Sequence, residues 1–195
     1  MHKSPINLFT LLCSNIAKQL LDMNIFKQHS TSPAVSFNEV LSIYEQPLYW
    51  HIRRMVVVHE DAQDVLQETF IKIYRGLSSL KDINALKTWV YRIATNECLR
   101  HLQHKRETAL STITDSEILT RGLMESEYVD FEKEMEIKFQ KAIYTLSEGQ
   151  RTVFNLRYYD ELPYEEISSI TGKSIDSLKV TYHNAKEKVR NYMIQ

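Results

Sequence analysis

Glycine and proline are scarce, four of each in 195 residues. A turn-rich β-sandwich and a Gly-loop nucleotide enzyme both need more, so neither is expected. Cys13 and Cys98 are the only cysteines, which excludes a disulfide scaffold and suits a reducing cytosol. The chain has no Walker loop, dinucleotide fingerprint, HExxH or CxxC, so no enzyme activity, cofactor or small-molecule substrate is expected. Cys98, His101 and His104 superficially have ligand spacing, but Cys98 falls on an apolar stripe, and no metal site is expected. No apolar run approaches the length that spans a bilayer. The short run from Ile6 to Leu12 before Cys13 faintly resembles a lipoprotein signal. Leu12 is too large for the small residue cleavage prefers, so an amphipathic extension is the better reading.

A net charge of −1 gives no global sign of a nucleic-acid partner, but its distribution does. Residues 1–36 and 37–106 are each net +2, and residues 135–195 are net +1. Residues 107–134 carry eight acidic and two basic side chains. A strongly acidic segment therefore separates two mildly basic ones and hides them from the average. Its Ser, Thr and carboxylate content marks a linker. The division is an N-terminal extension (1–36), a first module (37–106), an acidic linker (107–134) and a second module (135–195). Both modules have helical periodicity, so the expected fold class is all-α: two small helical domains, the second a helix-turn-helix.

In the first module, Ala62, Val65, Leu66, Thr69, Phe70 and Ile73 recur at three- and four-residue spacing and form a core face. The other face carries Asp64, Gln67, Glu68 and Arg75 around Ile71. An exposed Ile ringed by polar residues suits a protein-binding patch, although single exposed apolar residues are also common. The next helix is expected over about 88–106, capped by Thr88, with Val90, Ala94, Cys98 and Leu102 buried. A second face holds Trp89, Arg92, Asn96, Arg100 and Gln103, and the helix ends in Lys105 and Arg106. Cations for phosphate, amides for base edges and an aromatic for stacking suit nucleic acid. For Trp89, packing into the core is the open alternative.

The second module has helix signals at about 136–146, then Ser147 opening a capping box with Gln150. Pro163 starts a short helix bearing Ile167 and Ile170, and Gly172 stops it. Ser174 caps the last helix, whose apolar stripe is Ile175, Leu178, Tyr182, Ala185, Val189 and Met193. Asp176, Ser177, Lys179, Val180, His183 and Asn184 lie off that stripe. A short helix, a Gly turn and a longer helix with polar N-terminal residues is the geometry that enters a major groove.

Five stretches, in this order, resemble the sigma-70 family, specifically its extracytoplasmic-function members. They are Glu60-Asp61-Ala62-Gln63-Asp64-Val65-Leu66-Gln67-Glu68-Thr69-Phe70, Trp89-Val90-Tyr91-Arg92-Ile93-Ala94-Thr95-Asn96, Leu146-Ser147-Glu148-Gly149-Gln150-Arg151, Tyr164-Glu165-Glu166-Ile167, and Ser177-Leu178-Lys179-Val180-Thr181-Tyr182-His183-Asn184-Ala185. The resemblance implies a sigma factor that binds core RNA polymerase and directs promoter recognition, melting and transcription initiation. It implies that Asp64, Gln67, Glu68 and Ile71 meet the polymerase β′ clamp helices. Trp89, Arg92, Asn96, Arg100, Lys105 and Arg106 would hold the minus-ten DNA. Asp176, Ser177, Lys179, Val180, His183 and Asn184 would read the minus-thirty-five element, while the β flap binds elsewhere on the second module. An anti-sigma factor is a further implied partner. Two departures bear on promoter preference: Arg100, Gln103 and His104 stand where relatives differ, and Thr181 and Asn184 stand where relatives often carry Arg. The alternative is a helix-turn-helix regulator acting without polymerase, which would bind promoters on its own.

Overall fold

The computed structural model describes residues 35–108 and 134–195. The Ile6–Leu12 stretch and linker residues 109–133 lie outside the described residues. Those described form seven α-helices and no strand, in keeping with the all-α expectation. The helices are α1 (Phe37–Val56), α2 (His59–Gly76), α3 (Leu86–Thr108), α4 (Glu134–Tyr144), α5 (Glu148–Tyr158), α6 (Tyr164–Thr171) and α7 (Ile175–Ile194).

The first module is α1 to α3. Ser36 and Glu39 start α1 with a reciprocal capping box: Ser36 N–H donates to Glu39 Oε2 at 2.7 Å, and Glu39 N–H donates to Ser36 Oγ at 3.3 Å. The backbone bond from Ser36, then its hydroxyl, holds the Glu39 carboxyl below the usual range. The turn into α2 is tight: Val58 N–H donates to the Val56 carbonyl at 2.9 Å, with Val57 at φ 69°. A β-branched residue there is strained, and the close contact of α1 with α2 holds it. All six residues expected on the α2 core face are buried.

Two 3-10 turns, Leu77–Ser79 and Ile83–Ala85, connect α2 to α3. Asp82 caps the second, accepting from Asn84 N–H at 2.9 Å, and that turn runs straight into the helix. Helix α3 therefore starts at Leu86, before the expected cap Thr88. Val90, Ala94 and Cys98 are fully buried as expected, whereas Leu102 is only half-buried.

In the second module, Ser147 caps α5 by accepting from Gln150 N–H at 3.4 Å. Pro163 is the N-cap of α6 rather than a residue of its first turn. Gly172, at φ 72°, ends α6 in the left-handed region that glycine adopts without penalty. Ser174 caps α7, accepting from Ser177 N–H at 3.3 Å. Leu178 and Ala185 are fully buried and Val189 is 5% exposed, so the expected stripe faces inward.

The two modules are docked. Val153, Leu156, Leu162, Ile167, Ile170 and Leu178 belong to the same apolar cluster as Ile52, Phe70, Val90 and Ala94. A second, smaller cluster of Ala142, Ile143, Leu146, Phe154, Ala185 and Val189 is confined to the second module. Helix α6 lies against α3, and α5 against α1.

Candidate nucleic-acid interface

Helix α3 owes its position to both neighbours. On the α2 side, the Glu97 carboxylate, 5% exposed, accepts from Lys72 and from Arg100. At the far end Lys105 donates to Asp61 at 2.5 Å, with His101 Nε2 3.4 Å from the same oxygen. Partial burial raises the Asp61 carboxyl, but the bonds from His101 and Lys105 outweigh it and hold the group below the usual range. At the near end Trp89 lies half-buried against Gly76. A Cβ on residue 76 would sit 2.8 Å from Trp89 Cζ2, so only glycine lets the indole come this close. Trp89 thus packs with the core along one side, as its alternative reading has it, while its exposed part stays on the basic face.

Arg92, Asn96, Arg100, Gln103 and Arg106 are all exposed and Lys105 is half-exposed. Arg92, Asn96, Arg100, Gln103 and Arg106 therefore share one exposed face of α3, with buried Val90, Ala94 and Cys98 behind it, whereas Lys105 lies on the α2 side, bonded to Asp61. Cys98 is wholly enclosed, and burial, then Glu97, pushes its thiol well above the ordinary range. It is accordingly a neutral core group, turned away from His104 on the exposed side.

On α2, Asp64 and Glu68 are exposed, and Gln67 and Ile71 are half-buried beside them. Ile71 is thus less exposed than its polar neighbours suggested. On α7, Asp176, Ser177, Lys179, Val180, His183 and Asn184 are all exposed, with Val180 at 60%. Thr181 is half-buried and donates back to the Ser177 carbonyl at 2.8 Å. Tyr182, behind this face, packs among Phe154 and Tyr164, and partial burial raises its hydroxyl.

A polar cluster with no signature in the sequence pattern lies where the modules meet. Asp160 accepts from Arg54 at 2.7 Å on one oxygen, and its other oxygen lies 2.6 Å from His51 Nδ1. His51 is fully buried, and its Nε2 lies 3.1 Å from Thr95 Oγ1. Tyr91 meets the His51 ring edge-on at 5.4 Å; burial, then Asp160, drives its hydroxyl well above the usual range. Nothing in the local pattern marks these residues, since the partners are 109 positions apart.

Residues 41–108 match the family model of sigma-70 region 2, and residues 136–189 match that of sigma-70 region 4. The chain is 30% identical over 162 residues to an RNA polymerase sigma-H factor of Pseudomonas aeruginosa, covering 79% of this chain and 84% of that protein. It is 28% identical over 176 residues to the ECF RNA polymerase sigma factor SigW of Bacillus subtilis, covering 86% and 94% respectively. Among solved structures, the fold is similar to that of the sigma factor RpoE in complex with the anti-sigma factor NepR from Bartonella quintana. The TM-score is 0.64 at 21% identity, over 80% of this chain and 96% of that one. It is also similar to CnrH in complex with the cytosolic domain of CnrY, with a TM-score of 0.58 at 15% identity, over 95% and 96%.

Proposed function

The chain belongs to the sigma-70 family, in its extracytoplasmic-function branch, and from that premise we propose how its residues direct core RNA polymerase to promoters. It is a sigma factor acting in transcription initiation, and sigma factors in general are not enzymes. The reading places it in the cytoplasm with its polymerase; among the described residues no helix is long and apolar enough to cross a membrane.

The observation that carries the residue-level reading is the exposed set on α3. Arg92, Arg100 and Arg106 supply positive charge, and Asn96 an amide, along one exposed side of a helix whose other side is core, while Lys105, also assigned to DNA by the resemblance, is paired with Asp61 on the α2 side. Such a surface binds a phosphate backbone while Asn96 and the half-exposed Trp89 engage unpaired bases of the minus-ten strand. Helix α7 reads the minus-thirty-five duplex with Asp176, Ser177, Lys179, Val180, His183 and Asn184. The domains are residues 37–106 for polymerase and minus-ten binding, and 135–195 for minus-thirty-five binding. The acidic residues 107–134 form the connector and residues 1–36 the N-terminal extension. Two neighbours were solved with an anti-sigma factor or a cytosolic partner domain, which supports a similar inhibitor for this chain.

In vitro transcription with bacterial core polymerase tests the function as a whole. Adding the chain is expected to yield start-site-specific transcripts that core alone does not make. Promoter binding by the free chain with no effect on core would instead establish a polymerase-independent regulator.

The α2 face gives a further prediction. Asp64, Gln67, Glu68 and Ile71 contact the β′ clamp helices, with the Ile71 side chain at the centre of a polar ring. Gln67→Ala with Glu68→Ala is expected to weaken core binding about tenfold, the scale of losing one or two interface contacts. Helicity and melting temperature should stay nearly unchanged, since alanine is a good helix former at these positions. Equal core affinity of variant and parent in a titration would remove this face from the interface.

A further inference from the structure

Glu97 is a buried carboxylate on the helix that carries the residues assigned to the melted strand. Its side chain is 5% exposed, and each of its oxygens takes one cation. Lys72 of α2 donates to Oε1, and Arg100, one turn further along α3, donates to Oε2 through Nη2. Burying a carboxylate is costly unless its oxygens are paired, and here both are. The Lys72 pair ties α3 to α2. The Arg100 pair lies within α3 and adds no link between helices.

What the Arg100 pair does is fix a side chain. A free arginine samples many rotamers and gives up that freedom when it grips a phosphate. Arg100 has given up part of it already. One of its N–H donors rests on Glu97, Lys72 holds the carboxylate from the α2 side, and the Arg100 side chain is still 61% exposed. A guanidinium is a rigid fork of several donors, so the remainder is left for an outside acceptor. The other two arginines of this face are placed differently. Arg92 donates to the Ser169 carbonyl of α6 at 2.5 Å, and Arg106 lies 3.2 Å from Glu148 of α5. Their orientation depends on the second module, whereas that of Arg100 is set inside the first.

We propose that Glu97 is a positioning residue, holding the Arg100 guanidinium in place for a phosphate of the melted strand next to the base engaged by Asn96. The role rests on the α3 assignment above; the pairing of Glu97 with Arg100 does not. Asn96 and Arg100 are four residues apart and both exposed, so they lie on one ridge, about 6 Å apart along the axis. The base contact and the phosphate contact therefore fall on one short stretch of strand. Phosphate binding then requires little further ordering of Arg100.

The test is a double-mutant cycle in the reconstituted holoenzyme: parent, Glu97→Gln, Arg100→Ala and the double variant. The probe is the single-stranded non-template strand of a promoter that the holoenzyme transcribes, titrated over a range of salt. Glutamine keeps the shape of residue 97 and removes its charge. Arg100→Ala is expected to weaken binding about tenfold, the scale of one charge-assisted contact. Glu97→Gln is expected to weaken it about fivefold, because Arg100 must then be ordered on binding. Added to Arg100→Ala, the same change should cost less than about twofold, since its effect runs through the missing arginine. The slope of log affinity against log salt should fall by about 0.7 in Arg100→Ala, as for one phosphate of a single strand, and part of the way in Glu97→Gln. A merely loosened helix behaves otherwise: it lowers the competent fraction by the same factor in both backgrounds and leaves the slope alone. Equal losses in both backgrounds, or a Glu97→Gln slope at or above the parent's, would overturn the proposal. Should Glu97→Gln lower the helicity, Arg100→Lys asks the same question from the other partner. A lysine keeps the charge but has no fork to share between carboxylate and phosphate, so most of the Arg100→Ala loss is expected. Parent affinity in Arg100→Lys would equally overturn the positioning role. Failure of the sigma assignment itself would show differently, as no core-dependent transcription from the parent or any variant.

Discussion

Asn96→Ala is expected to reduce open-complex formation about ten- to a hundredfold while leaving initial binding of the closed duplex nearly intact. The magnitude is that of losing a base contact, ~1–3 kcal/mol. Asn96 is a clean site for this test because of where α3 places it. It is exposed, while its neighbours Thr95 and Glu97 are 2% and 4% exposed and hold the helix to the rest of the fold. Alanine favours helix, so the substitution removes the amide without loosening α3. Trp89 would be a poorer probe, since truncating it also empties the space beside Gly76 and mixes a packing loss with a base-contact loss. Kinetics of permanganate-reactive strand opening, compared with filter binding to the same duplex at low temperature, separates the two stages. Equal losses at both stages, or a lowered melting temperature, would make Asn96 a structural residue.

The parts of this fold that sequence made legible are those governed by local spacing. The α2 stripe from Ala62 to Ile73 and the α7 stripe from Leu178 to Val189 repeat every three or four residues because one side of each helix faces a core. Ser147, Gly172 and Ser174 were readable for a related reason: each satisfies a helix terminus through its own backbone or side chain. The start of α3 was less so, because a capped 3-10 turn can merge with a helix and no single residue shows the junction. Ile71 lies deeper than its polar neighbours implied, since exposure depends on neighbouring helices as well as helical phase.

The contact between modules had no local signature. Asp160 sits in a turn, where an aspartate ordinarily faces solvent. His51 lies close in sequence to Arg53 and Arg54, yet it is fully buried. Only the fold brings it to Asp160. Site residues on α3 and α7 were readable as types in a pattern, cations and amides off the apolar stripe. That pattern carries no information about whether the second module lies over them. The assigned residues of α7 are all exposed in this arrangement, so substitutions there can be read without disturbing the contact between modules.

Lys179→Ala and Val180→Ser are expected to separate affinity from sequence choice on that exposed face. Lys179 and His183 lie four residues apart, so their side chains share a ridge, with Val180 beside it at 60% exposure. Leu178 lies fully buried directly behind them and fixes the rotation of the helix. A lysine ammonium acts as a flexible point charge and suits a phosphate, which has the same charge in every sequence. Lys179→Ala should therefore weaken use of all upstream elements alike, and lower the slope of log affinity against log salt by about 1. Val180 offers methyl groups, whose complement in the major groove is the thymine methyl. Val180→Ser should shift which upstream bases are preferred, by the ~1–3 kcal/mol typical of a single base contact. Its effect on stability should stay within about 0.5 kcal/mol, because the side chain is outside the core. Transcription by the reconstituted holoenzyme from a library randomised across the upstream element measures both changes. A Val180→Ser holoenzyme with the parent's preferred sequence would remove Val180 from base reading. A Lys179→Ala effect confined to particular upstream sequences would move Lys179 from the phosphate to a base edge.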